Sequence, residues 1–488
     1  MNRILILLAS VVFISSSAWS ASGLSSSYNY LQGKGKVTYK EFADAGRGFV
    51  LHDFNGDGYT DVGWGNGGHC VPGDECGKNP TTGRINIFLN DRKGRLNLNT
   101  RKAFTGKLYT WKLGEVLPLR VPYRPEDNGK DTMADITGDG LADWVPFSSR
   151  NSMYPKRTPI IQLKRTRKLK VGPLKTPLMT FHQGQLADVD KDGDLDIVGG
   201  TGKANVYHNN GKGKFPCPEL DRSVEFPPYK RCMAPAVHWD EEPKLYHFNR
   251  GWAYAFLVID LDKDGFPEII TAGPNDMWKD LKDINPSRSA KIYVWKNTGG
   301  KRHTFKKRQV LPGPGKWPDQ KGRKFSVWAA DSQAADFDGD GDLDGLFYHE
   351  CGDFCSGTNP IVILKNLGNG KVKRVQIINA SPAKGRYYAW SWNKLLGAPQ
   401  VVDLNGDNRP DLVGNYHANY DGSMKNAHKQ IWINKGNGTF KRLTTPIFRG
   451  LRKNSRRGKI VALHANKDKK IDWLVIWSDG AYGTLLAR

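Results

Sequence analysis

The chain has 488 residues and a formal net charge of +24, from 73 Lys and Arg against 49 Asp and Glu. Hydrophobic residues make up 38% and aromatics 11%, enough for a sizeable core, while 54 glycines and 27 prolines fit many turns between short strands. No long stretch rich in Ala, Glu and Leu is present, which argues against a helical bundle, and no apolar run is long enough to span a bilayer.

In chain order, the first feature is a leader. Met1, Asn2 and Arg3 form a short basic start, residues 4–14 are an apolar run, and residues 15–21 are mostly small. That order predicts a signal peptide over residues 1–20, cleaved before Ala21, and export to the periplasm or beyond. The run is too short for a membrane anchor, and no cysteine lies near the cleavage point to carry a lipid. The mature part, 21–488, reads as one domain.

From residue 53 onward one nine-residue pattern keeps returning. It is DFNGDGYTD from Asp53, DITGDGLAD from Asp135, DVDKDGDLD from Asp188, DLDKDGFPE from Asp260, DFDGDGDLD from Asp336 and DLNGDNRPD from Asp403, with a worn copy, HANKDKKID, from His464. Each copy runs into a short apolar strand, such as EIITAG or DWLVIW, and several follow one, such as RGFVLHDF or PQVVDL. Farther on comes a strand ending in Asn, a Gly-rich turn and another strand, as in QIWINKGNGTF. Asn and Gly accept positive φ, so this is hairpin grammar. One repeat therefore reads strand, acidic loop, strand, long loop, strand, Gly turn, strand, which describes a propeller blade.

Seven copies predict an all-β, seven-bladed β-propeller of four-stranded antiparallel blades. The chain ends after the third strand of the seventh repeat, YGTLLAR. Residues 33–42, GKGKVTYKEF, resemble the fourth-strand sequence GNGTFKRL and are expected to complete the last blade. That closure removes an open edge. An open solenoid is the alternative, and would not need complementary orphan strands at its ends.

Carboxylates at positions 1, 3, 5 and 9 of the pattern converge because Gly at position 6 turns the chain sharply, and position 7 offers a carbonyl. Oxygen donors in that number suit calcium better than magnesium. The expected ligands are Asp53, Asn55, Asp57, Tyr59 and Asp61 in the first loop and Asp135, Thr137, Asp139, Leu141 and Asp143 in the second. They are Asp188, Asp190, Asp192, Asp194 and Asp196 in the third and Asp260, Asp262, Asp264, Phe266 and Glu268 in the fourth. The fifth offers Asp336, Asp338, Asp340, Asp342 and Asp344, and the sixth Asp403, Asn405, Asp407, Arg409 and Asp411. Five or six calcium sites follow. Asn408 replaces Gly at position 6 of the sixth loop and tolerates the same left-handed turn, whereas the seventh loop starts with His464 and is expected to bind no ion. An EF-hand is excluded, because position 12 is never Glu and strands flank the loops.

The six cysteines form three close pairs, Cys70/Cys76, Cys217/Cys232 and Cys351/Cys355. In an exported chain they predict three local disulfides. Zinc is the rival reading, but the CxxC spacing of such sites is missing.

These motifs resemble the FG-GAP/VCBS repeat family, the calcium-loop propellers of integrin alpha chains and of many bacterial exported proteins, over essentially the whole mature chain. The resemblance implies that the calcium loops join first and second strands on one face and are structural. It also implies that ligands are met on the opposite face. The long loops there carry Tyr154, Arg157, Trp278, His349, His417, Tyr420 and His428, with residues 238–254 and Arg386 in segments between blades.

The seven motif copies hold 25 of the 49 acids, so 24 acids lie outside them in a chain with 73 basic residues. Bound calcium would widen that excess, and a polyanionic partner is the natural inference. Aromatics beside Arg, Lys and Asn suit an acidic polysaccharide or cell-surface glycan. Nucleic acid fits the charge but not an exported compartment. The alternative is a polysaccharide lyase, in which His417, Tyr420 or His428 removes the proton beside a uronate while Arg386 neutralises its carboxylate. A two-carboxylate hydrolase fits poorly, because acids are scarce off the loops.

Overall fold

The computed structural model describes residues 24–34 apart from 26, then 49–65, 83–106, 110–111, 115–119, 121–122, 133–149, 158–176, 183–199, 205–215, 238–239, 255–272, 291–299, 304–318, 324–326, 328–350, 360–379, 399–414, 430–448, 458–477 and 480–488. Small antiparallel sheets follow one another around a ring and form a seven-bladed β-propeller. Blade one is Phe49–His52, Asp61–Gly65, Gly83–Asn90 and Leu96–Leu98, hydrogen-bonded in that order. Blades four, five and six repeat the plan. Their second strands are Glu268–Ala272, Asp344–Glu350 and Asp411–Val413, and their third strands are Lys291–Asn297, Pro360–Asn366 and Ile431–Asn434. Blade three shows three strands among the described residues.

Each sheet has a neighbour on both faces, so the strands read as continuous apolar runs rather than alternating ones. Asp61–Gly65, Asp196–Gly199 and Asp472–Trp477 are buried at every residue. The apolar clusters accordingly lie between blades. Val50, Phe54 and Ile87 of blade one pack with Trp144 and Ile161 of blade two, and Leu257 and Val294 of blade four pack with Phe347 and Val362 of blade five.

Amide side chains stitch those seams at three radii. Near the axis, Gln185 Oε1 accepts the Val258 N–H at 2.7 Å, and Gln400 bonds both the N–H and the carbonyl of Ala462, at 3.0 and 2.7 Å. At the outer strands, Gln309 does the same for Val372, and Gln376 for Phe440. Between them, the Asn that ends a third strand donates through Nδ2 to the second residue of the acidic loop on the preceding blade. The pairs are Asn209 with Ile136, Asn297 with Val189 and Asn434 with Phe337, at 2.8 to 3.0 Å. Asn90 of blade one reaches Ala465 of blade seven at 2.7 Å, so the pattern closes on itself.

The last blade is completed from the N-terminus, as expected, but by Tyr28–Gln32 rather than by residues 33–42. That strand pairs antiparallel with Tyr482–Ala487, from Tyr28 against Ala487 to Gln32 against Gly483. Gly483 sets the register: a Cβ there would fall 2.4 Å from the Tyr30 ring and 2.7 Å from the Leu31 carbonyl. Gly33 and Lys34 have left the strand. The Lys34 carbonyl accepts the Leu98 N–H at 3.1 Å, carrying the chain from blade seven onto blade one. Residues 35–42 lie outside the described residues.

Blade two departs from the repeat. Ala134 makes only a single bridge to Asp143, while Glu115–Pro118 pairs with Pro146–Ser149. The first-strand position is thus filled from two places, with an insertion between them. Short additions also lie parallel to outer strands. Phe104–Thr105 pairs with Leu169 and Lys170, and His238–Trp239, expected between blades, pairs with Thr304 and Phe305 on the outer strand of blade four.

Asn90→Leu removes the bond to Ala465 and a second one, at 3.1 Å, to the Thr60 carbonyl. Two buried carbonyls are then orphaned at the ring seam. Denaturant unfolding should show a loss of about 2–4 kcal/mol, and a change under half of that would mean the clasp carries little of the closure.

Candidate metal centre

All seven acidic loops lie between the first and second strands of their blades, as the resemblance implied. Their shape comes from backbone N–H groups turned inward onto carboxylates. The first-position Asp accepts N–H groups from positions 4 to 6. In loop one these are Asp57 to Asp53 Oδ1 at 3.0 Å and Gly58 to Asp53 Oδ2 at 2.7 Å, and loop six repeats the pattern on Asp403. The fifth-position Asp accepts from position 7, at 3.1 Å for Tyr59 and 3.0 Å for Arg409. Position 6 has positive φ in every intact loop, and Asn408 takes it at 61° where the other five use Gly.

The ninth-position acid does something the sequence did not reveal. Its carboxylate accepts the N–H of position 2 in all seven loops: Asp61 from Phe54, Asp143 from Ile136, Asp196 from Val189, Glu268 from Leu261, Asp344 from Phe337, Asp411 from Leu404 and Asp472 from Ala465. In five blades its other oxygen accepts an N–H at the end of the third strand, from Asn90, Asn209, Asn366, Asn434 and Ala487. This acid is a buried clamp joining loop to strand, whatever else it binds.

Carboxylate oxygens come within 4.8 Å of one another in Asp188/Asp190/Asp192, Asp260/Asp262/Glu268 and Asp336/Asp338/Asp344, spacings that can hold a metal ion. A fourth group adds a ring nitrogen, joining His208 to Asp190 and Asp196. In loops one and six the third donor is an amide oxygen, Asn55 or Asn405, so an all-oxygen set remains and fits a hard divalent cation. Loops four and five differ. Lys296 Nζ stands 2.8 Å from Asp262 and 3.0 Å from Glu268 and also touches Asp264, and Lys365 Nζ contacts Asp338 and lies 3.1 Å from Asp340. Their donors have the right chemistry, but an ammonium sits among them.

Electrostatics differ by position within the loop. Burial pushes the Asp61 and Asp411 carboxyls up to about 8, and the like charges of their own loops add to it. Asp143 and Asp344 rise to about 7 for the same reasons. Burial also works on Asp262, but Lys296 and Arg308 outweigh it and hold that carboxyl below its usual value.

Of the residues expected to meet a ligand, Tyr154, Arg157, Trp278, Arg386, His417, Tyr420 and His428 lie outside the described residues, as do Cys70, Cys76, Cys217, Cys232, Cys351 and Cys355. His349 is described and is not exposed on a loop. It is fully buried against Phe347, its Nδ1 is 3.2 Å from the Phe347 carbonyl, and burial pushes its pKa down to about 4. One cleft was not foreseen. At the seam between blades seven and one, a cavity of about 770 Å³ is lined by Tyr28, Asn29, Tyr30, Lys93, Arg95 and Arg488, among others. Tyr30 is 41% exposed, and Arg95 Nε is buried with no hydrogen-bond partner among the described residues. An aromatic face beside three cations and the Asp91 carboxylate is a signal that sequence spacing hides, because Tyr30 and Arg488 lie near opposite ends of the chain.

No family model matches the sequence, and no curated protein does. Among solved structures, the chain is similar to a Bacillus licheniformis rhamnogalacturonan lyase, at 13% identity over 92% of this chain and 66% of that chain, with a TM-score of 0.26. It is similar to the V. cholerae biofilm matrix protein Bap1 at 9% identity, covering 94% and 91% of the two chains with a TM-score of 0.35. It is also similar to BBS1N, solved in complex with ARL6DN, at 10% identity, covering 95% and 98% with a TM-score of 0.37. Likenesses at this level carry no statement about activity.

A carboxyl whose folded pKa is raised from 3.8 to about 8 stabilises the fold fully below the lower value, and that contribution is lost as pH rises through the upper one. In excess chelator the melting temperature should therefore fall between about pH 5 and pH 8. Adding calcium at the upper pH should restore it, because an ion bound only by the folded form stabilises that form. A melting curve indifferent to both chelator and pH would show that the loops need no cation.

Proposed function

We propose that the chain is an exported, calcium-stabilised propeller of the FG-GAP/VCBS kind that binds an acidic polysaccharide or another cell-surface polyanion. One observation carries this reading: the division of charge, with half of the acids gathered in seven loops and 24 left outside them in a chain with 73 basic residues. The described residues agree with it. The loop acids are turned onto backbone N–H groups, while Lys168, Lys170 and Lys175 are exposed on one outer strand and Lys373 and Lys441 on two others. The seam cleft adds an aromatic ring beside Lys93, Arg95 and Arg488, which suits a sugar ring carrying carboxylate or sulfate.

In this reading calcium is structural. Flexible loops with hard oxygen donors and a backbone carbonyl favour it over magnesium. When bound it supplies positive charge to the loop, and the protein's own N–H groups hold the carboxylates in place for it. The leader over residues 1–20 directs export, and the close cysteine pairs form local disulfides in an oxidising compartment.

Purified protein should be retained on immobilised heparin or alginate and elute as salt rises, since the contacts are mainly ionic. Arg95→Ala should weaken binding about tenfold, close to 1.4 kcal/mol. Passage of the wild type through both columns at low salt would overturn the reading. Accumulation of an unsaturated uronate product, followed by its ultraviolet absorbance, would replace binding with lyase activity.

A further inference from the structure

The residue immediately before the asparagine that closes the third strand takes two forms in blades one, four, five and six, and in blade three it is His208, 3.2 Å from Asp190 and 3.3 Å from Asp196. In blade four it is Lys296, before Asn297, and in blade five Lys365, before Asn366. Both ammonium groups enter the acidic loop of their own blade, with the contacts given above. In blade four a second cation joins, Arg308 Nη1 at 2.7 Å from Asp262. In blades one and six the same position holds Leu89 and Ile433. Leu89 packs into the apolar cluster with Phe54 and Ile87, and Ile433 packs against the cluster of blades six and seven. Among the described contacts, the only side-chain cation on a loop-one carboxylate is Arg92, two-thirds exposed, 3.1 Å from Asp57. The only one on a loop-six carboxylate is Arg409, 2.6 Å from Asp407. In both loops it meets the fifth position alone.

We propose that this third-strand position decides whether a loop takes a metal ion. A lysine there makes the loop self-neutralising, and an apolar residue there leaves the loop to a divalent cation. Loops four and five are then the ones that do without metal, although they carry more carboxylates than loops one and six. The physical reason is that one set of lone pairs serves either cation. An ammonium at hydrogen-bond distance from two or three of the carboxylates occupies the space a calcium ion would need. Because it is tethered to the fold, it competes at high effective concentration. Calcium would have to expel it and break the contacts it makes with those carboxylates. The carboxylate count, which makes these loops look like the best calcium sites, instead sets how strongly they hold their lysine.

This inference rests on the calcium reading above, and the test separates the two. Calcium bound per chain is measured by equilibrium dialysis on the intact mature protein, in the wild type, in Lys296→Met, in Lys365→Met and in the double variant. Each single substitution should add one calcium and the double two, and the new ions should restore the melting temperature that each variant loses in chelator. If a lysine variant fails to fold, the converse Leu89→Lys serves, which should bind one calcium fewer and lose part of its sensitivity to chelator. Equal, non-zero stoichiometry in every form would overturn the inference and leave structural calcium standing. Absence of calcium from every form would overturn both.

Discussion

Seven buried carboxylates hold this ring together. The ninth-position acid of each loop draws in the N–H of position 2, and in five blades it also takes an N–H from the end of the third strand. Position 2 then turns its carbonyl outward, in blades two, three, five and seven, to the asparagine of the next blade. One carboxylate thus fixes a loop to its own sheet and presents the acceptor that fixes it to the neighbouring sheet. Backbone groups at a blade seam are cut off from water and costly to leave unpaired. The acidic loop is therefore where blade and ring are joined, and its charge is a condition of the architecture rather than an ornament on it.

The seventh loop shows that the clamp and the cation site are separable. It has lost the first-position carboxylate to His464, and Lys467, Lys469 and Lys470 stand among its residues. It nevertheless keeps Asp472, with the Ala465 N–H at 2.9 Å and the Ala487 N–H at 2.8 Å, and Asp468 still accepts the Lys470 N–H. Lys467 lies over the Tyr59 ring of loop one, 4.6 Å from its centre, so a cation meets the next blade through an aromatic face. What survived is the part that ties backbone to backbone. Loops four and five keep every carboxylate and answer their charge with lysine, and loops one and six have no such partner. One geometry thus stands in three electrostatic conditions, and only one of them calls for an ion from outside.

The sequence made the repeat, the second strands and the loops legible because each depends on local grammar: Asp at odd positions, Gly or Asn where φ is positive, and an apolar run after the ninth residue. It misled where pairing is decided from a distance. Residues 33–42 look like a fourth strand because they share the Gly-x-Gly-x opening of a hairpin, yet Tyr28–Gln32 takes the place because Gly483 admits the Tyr30 ring. In blade two an insertion splits the first strand between Glu115–Pro118 and Ala134, and no local pattern joins the halves. His349 sits beside a cysteine pair in a loop-like stretch but belongs to the core end of a long second strand. Lys296 and Lys365 were visible as the Lys-Asn pairs that end third strands. Their meaning was hidden, because the acids they meet lie some 25 to 35 residues earlier.

The same accounting explains how a chain with an excess of 24 positive charges folds into a compact ring. Self-repulsion is eased by concentrating the acids, since each loop gathers several carboxylates where lysines and arginines of its own or the next blade can reach them. Lys191 bonds the Asp264 carbonyl at 2.8 Å, and Lys263 meets Asp342. Cations used in this way are spent inside the structure. Others, such as Lys168, Lys170 and Lys175, are exposed on an outer strand, held on a frame made rigid by the clamps beneath. An array of fixed positive charges loses little entropy on meeting a chain of repeated negative ones, so many weak contacts can add. Drawing acids into the seams for the sake of closure leaves fewer of them elsewhere in the chain, and the polyanion binding proposed above draws on that same distribution of charge.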